Sequence, residues 1–208
     1  ENGFDLSDPA KRDVFIYYSP RNPDWPTTGN QTVVGYNQIS RFTVNAAGTA
    51  FEPNSERVIL RVPKAKISGN PAGFPGGPTN NGPGHVGGAG LDFDSAGNLS
   101  LGVGDDVAPG AQGHNNYPPM DYRSAERWDA RKTSQNSADL RGKVVRITPE
   151  QGNIPATAEP GLGATYTVPA GNLFPVGTAK TRPEIYAMGF RQPFTLHTDP
   201  KNPGIVGV

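Results

Sequence analysis

Two pairs of residues in this chain share one offset: Arg41 and Arg146 lie 105 positions apart, and so do Asp94 and Asp199. A common spacing between unrelated landmarks marks an internal repeat, and it constrains the fold more than any single motif does. Each arginine closes an apolar strand as Arg-apolar-Thr, in Ile39-Ser40-Arg41-Phe42-Thr43 and in Val144-Val145-Arg146-Ile147-Thr148, with a glycine turn following. Each aspartate leads a turn between two apolar strands. One such unit runs from Leu91-Asp92-Phe93-Asp94 to Leu99–Val103, and another from Phe194–Asp199 to Gly204–Val208. A further copy, at a shorter step, runs from Phe4-Asp5-Leu6-Ser7-Asp8 to Val14–Tyr18.

The chain has 208 residues, among them 27 glycines and 22 prolines, with β-branched and aromatic residues between them. Glycine and proline belong in turns and the others in strands, so the mixture predicts short strands with long connections. Helix signals are confined to 124–133. Two hairpins in succession make four antiparallel strands, which is one blade of a β-propeller. The expected organisation is a partial, all-β propeller domain over 1–208. It has blades over about 3–62 and 88–150, a loop at 63–87, an excursion at 151–183 and a third blade opening over 184–208. A ring needs at least about four blades, and about two and a half are present. The expectation is a fragment of a longer polypeptide, with the rest of the propeller or another chain needed to close the fold.

Nineteen basic residues balance nineteen acidic ones. A chain that neutralised phosphates would carry a basic surplus, so nucleic acid is not an expected partner. No apolar run approaches the roughly 20 residues that span a bilayer as a helix, so no membrane span is expected. Cysteine is absent, which removes disulfides and thiolate metal sites from consideration.

Two strings carry the candidate chemistry: Gly84-His85-Val86-Gly87-Gly88-Ala89-Gly90 and, about a hundred residues on, Arg182–Pro193, with Gly189-Phe190-Arg191-Gln192-Pro193 at its end. Glycines around His85 leave its ring unobstructed, and a neutral imidazole can accept a hydroxyl proton. The alternative is a loop histidine bonded to a carbonyl. Arg191 offers a planar fork suited to carboxylate or quinone oxygens, or else it pairs with Glu184 or a backbone carbonyl. Asp105 and Asp106 end a strand, where paired carboxylates could ligate calcium, polarise a substrate hydroxyl, or simply cap a turn. Asp92, Asp94 and Asn98 lack calcium-loop spacing and suit a hairpin turn instead. His114 falls in a solvated loop. His197 alternates with Phe194 and Leu196 and is expected to be structural, and Arg141-Gly142-Lys143 reads as a small basic turn without a further role.

Taken with Asp139–Ile147, Pro169–Pro175 and Lys180–Phe194, these strings resemble the glucose/sorbosone dehydrogenases. Those are soluble quinoproteins that carry pyrroloquinoline quinone (PQQ) on a β-propeller, and the likeness is to a secreted, actinomycete-like branch. The resemblance implies a six-bladed propeller in the full protein, PQQ as cofactor, and Ca2+ held mostly by ligands outside this chain. It makes His85 the base that takes a sugar hydroxyl proton as hydride passes to the quinone. Arg191 becomes a cofactor contact, and Gln192 stands where the family usually has asparagine. Asp106 stands where the glucose dehydrogenase branch has glutamine. The implied partners are a small sugar and an electron acceptor, and the implied location is extracellular or periplasmic. A non-catalytic propeller, serving as a carbohydrate-binding or protein-interaction module, is the competing reading of the same scaffold. A third is an assembly role resting on unclosed strand edges.

Overall fold

The apolar run after Asp13 forms strand β1 (Asp13–Tyr18), entered through a short 3₁₀ turn at Pro9–Lys11 that Asp8 caps by accepting the Ala10 N–H at 3.0 Å. In this computed structural model the described residues are 4–20, 32–67, 90–105, 131, 133–199, 201, 202, 204 and 206–208. Along them run β2 (Thr32–Thr43), β3 (Arg57–Ile67), β4 (Leu91–Phe93), β5 (Leu99–Val103) and β6 (Lys143–Pro149). The chain continues through β7 (Tyr166–Thr167), β8 (Ile185–Met188), β9 (His197–Thr198) and β10 (Val206–Gly207). All strand pairings among these elements are antiparallel, and no α-helix occurs among the described residues. The all-β expectation is met. The described strands do not close a ring.

Three sheets result, in the orders β1-β2-β3, β4-β5-β6 with β7 and β8 both on the far edge of β6, and β9-β10. The Asp-led turn works as its residues predict. Asp94 Oδ1 accepts the Ala96 and Asn98 N–H groups, both at 2.9 Å, and Gly97 takes the left-handed φ of 82° that turns the chain back. β5 is buried along its whole length because it is central in its sheet and packed on both faces.

Two expected boundaries move. β3 runs to Ile67, beyond the boundary placed at 62. More consequentially, Ile185–Met188 does not open the next unit; it pairs with β6, through Lys143↔Met188, Val144↔Ala187 and Val145↔Ile185. The physical reason lies in the free edge of β6. Its backbone groups opposite β5 need partners, and β7 satisfies only Thr148 and Pro149, leaving the first half of the strand to β8. The excursion over 151–183 therefore interrupts the outer edge of the middle sheet instead of separating two sheets. The third hairpin appears where expected, with Val206 opposite Thr198.

One apolar cluster joins the two larger sheets: Ile39, Ile59, Leu60 and Val62 from the first, Leu99, Leu101, Val103, Val145, Ile147 and Ile185 from the second. Phe15 on β1 meets Phe93 on β4 edge-to-face at 5.1 Å between ring centroids. The excursion seals one side of this core. Ile154 is buried in it while its carbonyl accepts from Arg57 Nε at 2.6 Å, and Thr165 donates from its hydroxyl to the Ile59 carbonyl at 2.7 Å.

Candidate functional site

Beyond β5 the chain passes Gly104 to Asp105, and beyond β8 it turns at Gly189, with φ of 96°, to Phe190 and Arg191. These two strand ends meet. The Asp105 N–H donates to the Arg191 carbonyl at 2.8 Å, and Asp105 Oδ2 lies 3.6 Å from Arg191 Nη1. The carboxylate is buried, whereas 41% of the arginine side chain remains exposed. Gly142 holds the two ends together, its N–H bonding the Gly104 carbonyl at 2.9 Å and its own carbonyl accepting the Phe190 N–H at 3.1 Å. Only glycine fits there. Its φ is 68°, and a Cβ would stand 2.3 Å from Ser134 Cβ and 2.6 Å from the Phe190 carbonyl oxygen.

The chain beyond Arg191 stays close to the same strands. Pro193 lies against Gly102, and Leu196 lies so near Gly90 that a Cβ there would be 2.4 Å from Leu196 Cβ. Between them opens a shallow cavity of about 220 Å³ beside Gly90, Leu91, Asp92 and Phe194, with the Phe194 ring largely exposed. The segment from Arg191 to Leu196 thus runs along β5 from Asp105 back to the start of β4.

Asp105 and Arg191 are brought together, and Gln192 follows them half-buried. His85 and Asp106 lie outside the described residues, as does His114. Arg191 does not pair with Glu184, one of its two alternative partners. That carboxylate is taken by Arg182, at 2.9 and 3.1 Å, and by the Tyr166 hydroxyl at 2.5 Å. Burial pushes the Glu184 carboxyl up, but the Arg182 and Tyr166 hydrogen bonds outweigh it and hold the group below its usual range. Burial and the adjoining carboxylate push the Tyr166 phenol up. Asp94 is saturated by its turn and by the Gly204 N–H at 3.1 Å, so it is a turn residue as expected. His197 is exposed, with Nδ1 3.9 Å from Asp92 Oδ2.

The reading of Arg141-Gly142-Lys143 as a mere basic turn is wrong. Lys143 has no exposed surface, and its ammonium donates to three backbone carbonyls. Desolvation draws its pKa down to about 8. Its only sequence signal is its place at the head of the apolar run Val144–Ile147, where a lysine enters a central strand.

The half-exposed Arg191 guanidinium, backed by a buried carboxylate that fixes its orientation, suits a carboxylate- or quinone-bearing anion. Among the described residues no group of three His, Asp or Glu side chains is arranged to hold a metal ion.

Comparison with known proteins places the fold. No protein-family model matches the chain, and no curated protein sequence matches it. Among solved structures it is similar to a glucose dehydrogenase at 22% identity and a TM-score of 0.51, over 94% of this chain and 38% of that one. A second glucose dehydrogenase structure aligns at 22% identity and a TM-score of 0.48, over 94% of this chain and 41% of that one. The chain therefore has the fold of one part of a solved glucose dehydrogenase, and it spans about two-fifths of the length of each of these two structures.

Proposed function

We propose that this chain is part of a sugar dehydrogenase of β-propeller architecture, a quinoprotein that oxidises a sugar hydroxyl with PQQ as cofactor. The observation that carries the proposal is the meeting of Arg191 with Asp105, 3.6 Å apart, at the ends of β8 and β5. The four-stranded antiparallel sheet β4-β5-β6-β8 supports the architecture, since one such sheet is a propeller blade. The fold likeness to a glucose dehydrogenase supports the substrate class.

In this reading Arg191 clamps an anionic edge of the cofactor, Asp105 keeps the guanidinium from swinging away, and Gln192 adds an amide contact. PQQ, when bound, supplies the two-electron acceptor for the carbon-bound hydrogen of the sugar. His85 takes the hydroxyl proton, and Asp106 helps to select the sugar. Calcium enters through ligands outside this chain. An electron acceptor completes the cycle, and the proposed location is extracellular or periplasmic.

The test is PQQ titration of the full-length protein with Ca2+ present, followed by dye-linked oxidation of a panel of aldoses. Saturable PQQ binding and turnover, both reduced in Arg191→Ala and turnover alone reduced in His85→Ala, support the proposal. A wild-type protein that binds PQQ no better than Arg191→Ala overturns it.

A further inference from the structure

Lys143 is a buried cation with no carboxylate in contact with it among the described residues. Among the described residues no ion pair includes it, and stripping an ammonium of water in that way is costly. What offsets the cost is complete hydrogen bonding. An ammonium has three donors, and they go to the carbonyls of Thr133 at 2.8 Å, Ser134 at 3.0 Å and Arg141 at 2.7 Å. These carbonyls belong to the loop entering β6, on either side of the contact that Gly142 makes with Ser134.

Two of the three are shared: the Thr133 carbonyl also accepts the Asn136 N–H at 2.9 Å. The Ser134 carbonyl also accepts the Gly189 N–H at 3.0 Å, and Gly189 begins the turn that ends at Arg191. The next residue in that turn, Phe190, donates to the Gly142 carbonyl, and Gly142 follows the carbonyl of Arg141 that Lys143 holds. The path from the ammonium to the Arg191 backbone therefore passes through two hydrogen-bonded backbone junctions, and Asp105 holds the guanidinium from there.

We infer that Lys143 is a positioning residue. Its ammonium pins the Ser134 and Arg141 carbonyls, and through the Gly189 and Phe190 hydrogen bonds it sets where the Arg191 guanidinium stands beside Asp105. What Arg191 then binds rests on the proposed function; the positioning itself does not.

Lys143→Met keeps the volume of the stem and removes all three ammonium donors, leaving the Thr133 and Ser134 carbonyls only the Asn136 and Gly189 N–H groups; Lys143→Gln keeps two donors, and Lys143→Arg keeps a cation. Amide hydrogen exchange reads the positioning without any ligand. In Lys143→Met, exchange at Gly189, Phe190 and Asp105 rises by about tenfold or more, while the β1–β2 amides stay within about twofold of wild type. Lys143→Arg recovers most of the protection. Titration with PQQ reads the consequence, as a loss of affinity of about tenfold in Lys143→Met that Lys143→Arg partly restores. Unchanged exchange at those three amides overturns the inference, and so does a rise that is equal in β1–β2. If Lys143→Met does not fold, the same comparison passes to Lys143→Gln, where unchanged exchange is again fatal. Absence of PQQ binding by wild type, with the exchange pattern as expected, defeats the proposed function and leaves the positioning standing.

Discussion

Arg41 and Arg146, one repeat apart on β2 and β6, do the same work: each sends its guanidinium out of its own sheet to backbone carbonyls of a later segment. Arg41 Nη1 and Nη2 donate to Glu150 and Gly152 at 2.8 and 2.9 Å, in the turn after β6. Arg146 Nη2 and Nη1 donate to Ala170 and Gly204 at 2.6 and 3.2 Å, the second of these in the connection between β9 and β10. The repeat thus carries its own fastener. Each sheet is tied to the next by an arginine fork whose acceptors are backbone, so the side chains of the next unit can vary without loosening it. Arg146 is the more embedded of the two, with Nε on Asn172 Oδ1 at 3.0 Å and its guanidinium 4.6 Å over the Tyr186 ring.

Removing either fork takes a buried guanidinium away from carbonyls of exposed or half-buried residues. Arg41→Met is expected to cost about 2 kcal/mol and Arg146→Met about 3–4 kcal/mol, the excess reflecting the lost Asn172 and Tyr186 contacts. Urea unfolding of the two variants measures this. Equal costs would mean that the ring contact and the Asn172 bond are worth no more than the ion pair Arg41 makes with Asp13 at 3.4 Å.

Gly142 is the tightest point in the candidate site. Gly142→Ala forces a Cβ to within 2.3 Å of Ser134 Cβ at a φ of 68°, so the loop or the Phe190 turn must move. A loss of about 2 kcal/mol or more is expected, from steric conflict together with left-handed strain. Gly97→Ala, also left-handed but with open space around the position, is the control and should cost about 1 kcal/mol.

Asp105 orients Arg191 without neutralising an exposed charge. Asp105→Asn keeps the shape and the backbone hydrogen bond but removes the ionic attraction. PQQ affinity is expected to fall by about tenfold, less than in Arg191→Ala, because the fork is still present but no longer held. Comparing PQQ titrations of the two variants checks the order, and a larger loss in Asp105→Asn would show that the carboxylate itself meets the ligand.

The Glu184 carboxyl gives an acid-side signature. Its folded pKa lies below the unfolded value of 4.5, so its contribution is fully present above that pH and is lost as pH falls through the folded value. Glu184→Gln forfeits this contribution at every pH. The gap in Tm between wild type and Glu184→Gln should be widest near neutrality and should shrink on acidification below about pH 4.5. A constant gap from pH 7 to pH 3 would mean that the folded and unfolded carboxyls titrate alike.

Much of the fold was legible because its determinants are local. β5 and β6 are apolar, β-branched runs between an Asp-led turn and a glycine turn, and such runs have no good alternative to a strand. The assignment of Ile185–Met188 to the middle sheet was not legible. The run is visibly a strand, but which edge it joins depends on how much of β6 the short β7 leaves unpaired, a long-range quantity. The site divides in the same way. Arg191 and Asp105 stand out by residue type and by the turns beside them. Lys143 does not, because its meaning lies in three carbonyls whose convergence no side-chain pattern announces. The 105-residue offset was the most productive signal, since the equivalence of Arg41 and Arg146 in sequence turned out to be an equivalence of contacts.

The alkaline side tests the burial of Lys143. Desolvation lowers its folded pKa to about 8 from 10.5, opposed by the Asp139 carboxylate, which raises it, and assisted by Arg141. Between those two values the unfolded chain holds a proton that the folded chain has released, so the lysine's contribution to stability rises with pH across that window and is level below it. In Lys143→Met the contribution is absent. The Tm of wild type minus that of Lys143→Met should therefore increase from about pH 8 towards pH 10 and stay flat from pH 6 to pH 7.5. Scanning calorimetry or circular dichroism melts over that range measure the slope. A difference that is level throughout would mean that the three carbonyls hold the ammonium charged to its ordinary pKa, which makes their hydrogen bonds worth as much as the water they replace.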